Sequence, residues 1–263
     1  MTDISKIRVW EEFYRSSDVV AQYARQTQLQ APERAIFDRL AGQLAEGSLL
    51  DLGVGAGRTT HELAPRCRHY VGADYAEPMV QACRTRFGEL IQRRGARFEV
   101  ADARALPFED AAFDVVFFSY NGIDLVGAHD RATVLAQCRR VLRPGGWLVY
   151  SSHNLNWFDD RRGIRWQGVR HYLQTLAFRR RMRRLNQAHW PIAGKPEIDL
   201  VDPFGGGLTC YIRPAEMLRQ TRAAGFGEIR VFDLLGQEVP EGPARDAMPD
   251  PWVYLMARQG VGA

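Results

Sequence analysis

The stretch LLDLGVGAGRTT, Leu49 to Thr60, limits the fold of this chain more than any other. Leu49 to Leu52 reads as a short buried strand, and the chain restarts as a helix near Arg58. Between them Gly53, Gly55 and Gly57 alternate, so the backbone can turn sharply and press against a ligand. The free N–H groups of the following helix suit an anionic or strongly polar group. Two acids sharpen the reading. Asp74 ends the next apolar strand, HYVGAD, at the spacing where doubly wound folds place a ribose-binding carboxylate. Asp102 ends the strand after that, RFEVAD. One sheet edge thus carries a glycine turn and two acids, a pattern for a nucleotide-like ligand at a strand–helix switch.

Around this stretch the pattern is regular. Before Pro32, Val9, Trp10, Phe13 and Tyr14 recur at helical spacing, followed by Val19, Val20 and Tyr23. Pro32 starts a helix with Ile36, Phe37, Leu40 and Leu44 on one face and Gly47 past its end. A helix over about Glu77 to Arg94 presents Met79, Val80, Cys83, Phe87 and Leu90 to the core, with Gly95 as its stop. FDVVFFS is continuously apolar, as a central parallel strand covered on both faces should be. The turn RPGG feeds a fifth strand, WLVYSS. From Leu155 to Thr209 strand alternation stops, and the core pattern resumes in a helix from Pro214 and the strands EIRVFDLL and WVYLMAR.

The order and wording of these pieces, with ALPFEDAAFDVVFFSYNG and VLRPGGWLVYSSHN, resemble the class I S-adenosylmethionine-dependent methyltransferases over about Leu49 to Asn154. The resemblance implies an α/β fold, a Rossmann-like seven-stranded, mostly parallel sheet with helices on both faces. The final strand should run antiparallel. The expected divisions are an N-terminal helical lid (1–30), a cofactor-binding core (31–154), a substrate-side insertion after the fifth strand (155–212) and the C-terminal part of the core (213–263).

The resemblance also assigns roles. Gly53, Gly55 and Gly57 leave room for the amino acid end of S-adenosylmethionine, and Asp51 orients that loop or meets the amino group. Asp74 should accept both ribose hydroxyls. Tyr75 should cover one adenine face with Met79 near it, and Asp102 should accept from the adenine amino group beside Ala103. Tyr14 and Tyr23 are candidates for the methionine end. Ser119, Tyr120 and Asn121 end the fourth strand, where methyl group and acceptor meet in the family. The SYNG sequence there departs from the Asn/Asp-Pro-Pro-aromatic tetrad of several nucleic-acid and protein-glutamine methyltransferases. His153 ends the fifth strand at the same edge and is the candidate general base, since imidazole titrates near neutrality. Tyr211 re-enters the core close by as a substrate-side candidate.

The insertion should set acceptor choice. Arg161, Arg162, Arg165, Arg170, Arg179, Arg180, Arg181, Arg183 and Arg184 cluster there among Trp157, Phe158, Trp166, Tyr172, Phe178 and Trp190. Most of these arginines read as the solvated face of a helix whose buried side is Val169, Leu173, Leu176 and Leu185. The reading is of methyl transfer to oxygen or nitrogen of a small or medium-sized molecule. Two other readings are an RNA methyltransferase using the arginine helix and an NAD(P)-dependent oxidoreductase; a third is a non-catalytic cofactor-binding scaffold. The oxidoreductase fingerprint Gly-x-Gly-x-x-Gly has Arg58 at its last position.

Bulk properties exclude little else. A net charge of +4 is not that of a dedicated nucleic-acid binder. Cys67, Cys83, Cys138 and Cys210 have no paired ligand spacing, and His129, His171 and His189 form no metal pattern. The opening MTDISKIRVWEEFY lacks the apolar stretch of a secretory signal, and no apolar run approaches membrane-spanning length. A cytoplasmic protein without metal is expected, its oligomeric state left open.

Overall fold

The computed structural model describes residues 4–159 and 168–260. Arg161, Arg162, Arg165 and Trp166, the first three residues of the leading segment and the last three of the chain lie outside the described residues.

The chain opens with α1 (Ile4–Arg15), α2 (Ser17–Ala24) and α3 (Ala31–Glu46), which lead into β1 (Ser48–Leu52). After α4 (Thr60–Leu63) come β2 (His69–Asp74), α5 (Glu77–Arg86), α6 (Gly88–Arg94) and β3 (Arg97–Val100). Then follow β4 (Phe113–Phe118), a 3-10 turn (Gly122–Val126), α7 (Gly127–Val141) and β5 (Leu142–Asn154). After β5 come α8 (Asn156–Asp159), α9 (Val169–Leu185), β6 (Glu197–Val201) and β7 (Leu208–Ile212). The chain closes with α10 (Pro214–Ala223), β8 (Phe226–Phe232), β9 (Glu238–Val239), α11 (Pro243–Asp246) and β10 (Trp252–Gln259).

The sheet runs β3-β2-β1-β4-β5-β10-β8-β9, with β1 to β5 parallel and β10 antiparallel to both neighbours. Because side chains alternate across a strand, each central strand feeds two cores. Leu50, Leu52 and Val116 enter one, and Leu49, Val115 and Phe117 the other. This buried double face explains why FDVVFFS shows no polar alternation.

The structure corrects three expectations. The sheet has ten strands, not seven, because residues 197–212 add the antiparallel pair β6–β7 and the last connection adds β9. EIDLV does alternate, and its partner LTCYI, which is β7, runs parallel to the end of β5, where β4 has already turned away. The helix expected over Glu77 to Arg94 breaks at Phe87 and Gly88, a poor helix former. Phe87 there stacks on Phe98 and lies beneath Gly57. Finally, α9 is turned relative to its expected face. Val169 and Leu173 are 62% and 57% exposed, while Arg179 and Met182 are buried. The Arg179 guanidinium lies 4.5 Å from the Trp157 ring centre, so a cation–π contact takes the place expected of an aliphatic.

α1 and α2 pack on α5 at the carboxyl edge of the sheet, where Tyr14, Val19, Val20 and Tyr23 cover Ala56, Ala76 and Met79. The Trp10 indole donates to the Leu208 carbonyl at 2.7 Å and lies against Gly205 and Gly207. No helix among the described residues is long and apolar enough to cross a membrane. None of their His, Cys, Asp and Glu side chains group as a metal site.

Candidate active site

Two adjoining cavities open at the carboxyl ends of the parallel strands, with Trp10, Tyr14, Tyr23, Tyr120 and Leu125 in the walls of both. The first is built on the glycine turn. Gly53, Gly55 and Gly57 have φ values of 67°, 55° and 85°, a left-handed region that side chains disfavour. A Cβ on Gly53 would also stand 2.8 Å from the Phe118 ring. Asp74 clasps this turn: its carboxylate accepts from the Gly55 N–H and from the Ala76 N–H, both at 2.9 Å. Burial pushes the Asp74 carboxyl above its usual range, against these backbone bonds.

Asp102 stands across the cavity. Its oxygens accept from the Arg104 fork at 2.7 to 3.0 Å and from the Arg104 N–H at 2.8 Å. Partial burial pushes its carboxyl up, but the Arg104 bonds outweigh this and hold it below the usual range. Tyr75, Met79, Ala103 and Ser119 also line it, and the Tyr75 hydroxyl donates to the Trp10 carbonyl at 2.9 Å. The Tyr14 and Tyr23 hydroxyls lie 3.4 Å apart.

Asp51 and Gly57 are not among the lining residues. Asp51 is buried beneath the turn, accepting from the Thr59 and Tyr70 hydroxyls, so it serves the loop from below. Arg58, the residue that interrupts the dinucleotide fingerprint, is also tied down. Its fork meets buried Glu33 at 2.6 and 2.8 Å, and it reaches Ser119 Oγ at 3.1 Å and the Gln28 carbonyl at 3.0 Å. Its guanidinium carbon lies 4.7 Å from the Tyr120 ring centre.

The second cavity, of about 1020 Å³, gathers Tyr120, Asn121, His153 and Tyr211. Tyr120 and Asn121 both adopt left-handed backbone, with φ of 57° and 63°. That is uncommon for a side chain as bulky as tyrosine, and such conformations concentrate at functional sites. The turn sends the chain away from the sheet and leaves the edge of β5 to β7, which sets His153 beside Tyr211. The two rings lie 5.0 Å apart.

His153 has a partner that the sequence reading missed. Asp124 accepts from His153 Nδ1 at 2.8 Å and from the His153 backbone N–H at 2.6 Å. The same carboxylate accepts from Ser152 Oγ and, at 2.6 Å, from Arg131 Nη1. Asp124 and Arg131 are both fully buried. Desolvation pulls the Arg131 guanidinium down and the surrounding negative groups, Asp124 among them, more than restore it, so its pKa rises above the usual value. A carboxylate on Nδ1 fixes the proton there and leaves Nε2 as the basic nitrogen, with the Asn121 amide nitrogen 3.4 Å away. The available signal was a single acid inside the apolar run Ile123, Leu125, Val126. An acid in such a setting needs a partner.

A family model described as a methyltransferase domain matches residues 49–146. An O-methyltransferase, cnsE, of Penicillium expansum is 35% identical over 46% of this chain and 45% of its own length. A malonyl-[acyl-carrier protein] O-methyltransferase of Halorhodospira halophila is 29% identical over 80% of this chain and 70% of its own. The chain spans less than half the length of several curated relatives that it matches. Among solved structures, a Burkholderia thailandensis 1,6-didemethyltoxoflavin-N1-methyltransferase superposes with a TM-score of 0.61 at 16% identity. That superposition covers 98% of this chain and 89% of that one. The glycine turn, the two strand-end acids and the matched domain agree: residues 49–146 form a methyltransferase domain of the class I S-adenosylmethionine-dependent kind, with S-adenosylmethionine as its cofactor.

Proposed function

We propose that the protein transfers a methyl group to oxygen or nitrogen of a small or medium-sized molecule held in the second cavity, with His153 as general base. The observation that carries this reading is the Asp124–His153 pair, which presents Nε2 to a cavity sharing its wall with the first. The first cavity fits the cofactor. Left-handed glycines keep the turn free of side chains, Asp74 retains lone pairs for two hydroxyls beyond its backbone bonds, and Tyr75 and Met79 give an apolar face. When bound, S-adenosylmethionine supplies a methyl carbon already activated by a positively charged sulfur. The chain's own task is to place the acceptor at the ends of β4 and β5, to exclude water and to take the acceptor's proton at His153 Nε2.

The lining argues against a nucleic-acid acceptor. Although α9 carries Arg170, Arg179, Arg180, Arg181, Arg183 and Arg184, no arginine or lysine lines the second cavity among the described residues. Phosphate recognition calls for such cations. The relatives named as O-methyltransferases support an oxygen acceptor.

The test uses an acceptor found by screening hydroxylated and aminated small molecules for S-adenosylhomocysteine formation. His153→Ala should lower kcat by about 100-fold or more, and Asp124→Asn by a smaller factor, with S-adenosylhomocysteine affinity unchanged. Asp74→Ala should do the reverse and weaken cofactor binding. Near-normal kcat in His153→Ala would leave positioning alone as the mechanism.

A further inference from the structure

Helix α9 carries six arginines and no acid, more positive charge than the whole chain's net +4. Its exposed positions recur at steps of three and four, through Val169, Leu173, Ala177, Arg180 and Arg184, with Arg170 and Arg181 beside them. Such spacing makes one face of the helix. The other side is occupied: His171, Thr175 and Phe178 line the second cavity, and Met182 is buried. α9 is thus a wall with a cavity on one side and solvent on the other.

The solvent side is not an ordinary polar one. Among the described residues eight large apolar or aromatic side chains are exposed, and four of them, Val169, Leu173, Leu185 and Phe204, lie on α9 or on the loop after β6. Phe204 is 77% exposed, and its ring stacks on Phe178 at 5.8 Å. Arg181 donates to the neighbouring Pro203 carbonyl at 2.8 Å, which joins this loop to the helix. The charges of the face are largely unanswered. Arg170, Arg180 and Arg184 make no hydrogen bond or ion pair among the described residues, and Arg183 lies over the Trp190 ring. Asp202, the acid closest in sequence to Phe204, serves its own loop. It accepts from the Phe204 and Gly205 N–H groups at 2.8 and 3.3 Å and lines the second cavity.

A face that only meets water gains nothing from exposed valine, leucine and phenylalanine, and clustered apolar side chains of this kind mark a contact surface. A bilayer with anionic headgroups answers both features at once: its surface attracts arginines, and the boundary below the headgroups takes apolar side chains. RNA supplies phosphates but no apolar phase for Val169 and Leu173. A second copy of the chain, packed face to face, would set arginines against arginines. We propose that α9 with Phe204 is a peripheral docking face for a bilayer of anionic lipids. Headgroup phosphates take Arg170, Arg180, Arg181 and Arg184, and Val169, Leu173 and Phe204 enter the boundary between headgroups and acyl chains. Docking does not depend on the methyl-transfer reading.

The experiment is flotation of the full-length protein with two kinds of vesicle at about 0.15 M salt. One is phosphatidylcholine alone, the other an equimolar mixture of phosphatidylcholine and phosphatidylglycerol. The protein should float with the mixed vesicles and stay behind with the first kind. Arg180→Gln with Arg184→Gln should lower partitioning about tenfold or more, and Arg180→Lys with Arg184→Lys should retain it. Val169→Ser with Leu173→Ser should lower it about tenfold although every arginine remains. All three variants should keep wild-type affinity for S-adenosylhomocysteine, which shows that they are folded. Absence of flotation with the mixed vesicles, equal flotation with both kinds, or flotation unchanged by Val169→Ser with Leu173→Ser would overturn the inference. So would binding of single-stranded RNA, without vesicle binding, that the glutamine variant loses and the serine variant keeps. A dimer in sedimentation that the serine variant breaks, again without vesicle binding, would give the face to a second copy instead.

Discussion

Asp51 lies under the glycine turn, and its chemistry can be read without any ligand. Burial raises its carboxyl to about 6, partly offset by the Thr59 and Tyr70 hydroxyls and by Arg58. Between the ordinary carboxylate range and about pH 6 the folded protein therefore binds more protons at this residue than the unfolded chain does. Stability contributed by Asp51 falls as pH rises through that window. Urea unfolding at pH 4.5 and pH 7 should show the wild type losing on the order of 2 kcal/mol relative to Asp51→Asn over that interval. A pH-independent difference between the two proteins would mean that Asp51 is charged throughout. The residues that the sequence revealed are of one kind: Gly53, Gly55, Asp74 and Asp102 stand at strand ends, where chain geometry alone dictates their place. Asp124 and Glu33 escaped notice because each acts through residues distant in sequence. Asp124 meets His153 29 positions away, and Glu33 meets Arg58 and Ser119 25 and 86 positions away.

At the scale of elements, the parallel core was legible because buried strands and capped helices follow short-range rules, as β1, β2, β4 and α3 show. The insertion was not. Its β6–β7 pair depends on an edge of β5 that opens only because β4 turns aside at Tyr120 and Asn121. The face of α9 depends on Trp157, which takes the Arg179 guanidinium. Helix α1 joins these parts through Trp10, whose indole fills the space beside Gly205 and Gly207. We propose that α1 and α2 act as a lid with this indole as its catch. A Cβ at Gly205 would stand 2.6 Å from the Trp10 ring, so Gly205→Ala should loosen the catch at an overpacking cost of about 1–3 kcal/mol. Hydrogen exchange in α1 should then quicken, and S-adenosylhomocysteine should protect it less than in the wild type. Unchanged exchange would make α1 a fixed packing element.

For the molecule as a whole, what matters is that one helical segment borders two cavities. Trp10, Tyr14 and Tyr23 belong to both walls, so the same movement that frees one occupant must disturb the other. Traffic through the protein is then a single queue. An acceptor that settles before the spent cofactor has left would hold it in place as a dead-end pair. Turnover should pass through a maximum and decline as acceptor concentration rises, and the dissociation rate of S-adenosylhomocysteine should drop several-fold in saturating acceptor. A stopped-flow chase of labelled S-adenosylhomocysteine measures that rate directly. If it is the same with and without the acceptor, the two cavities have separate doors.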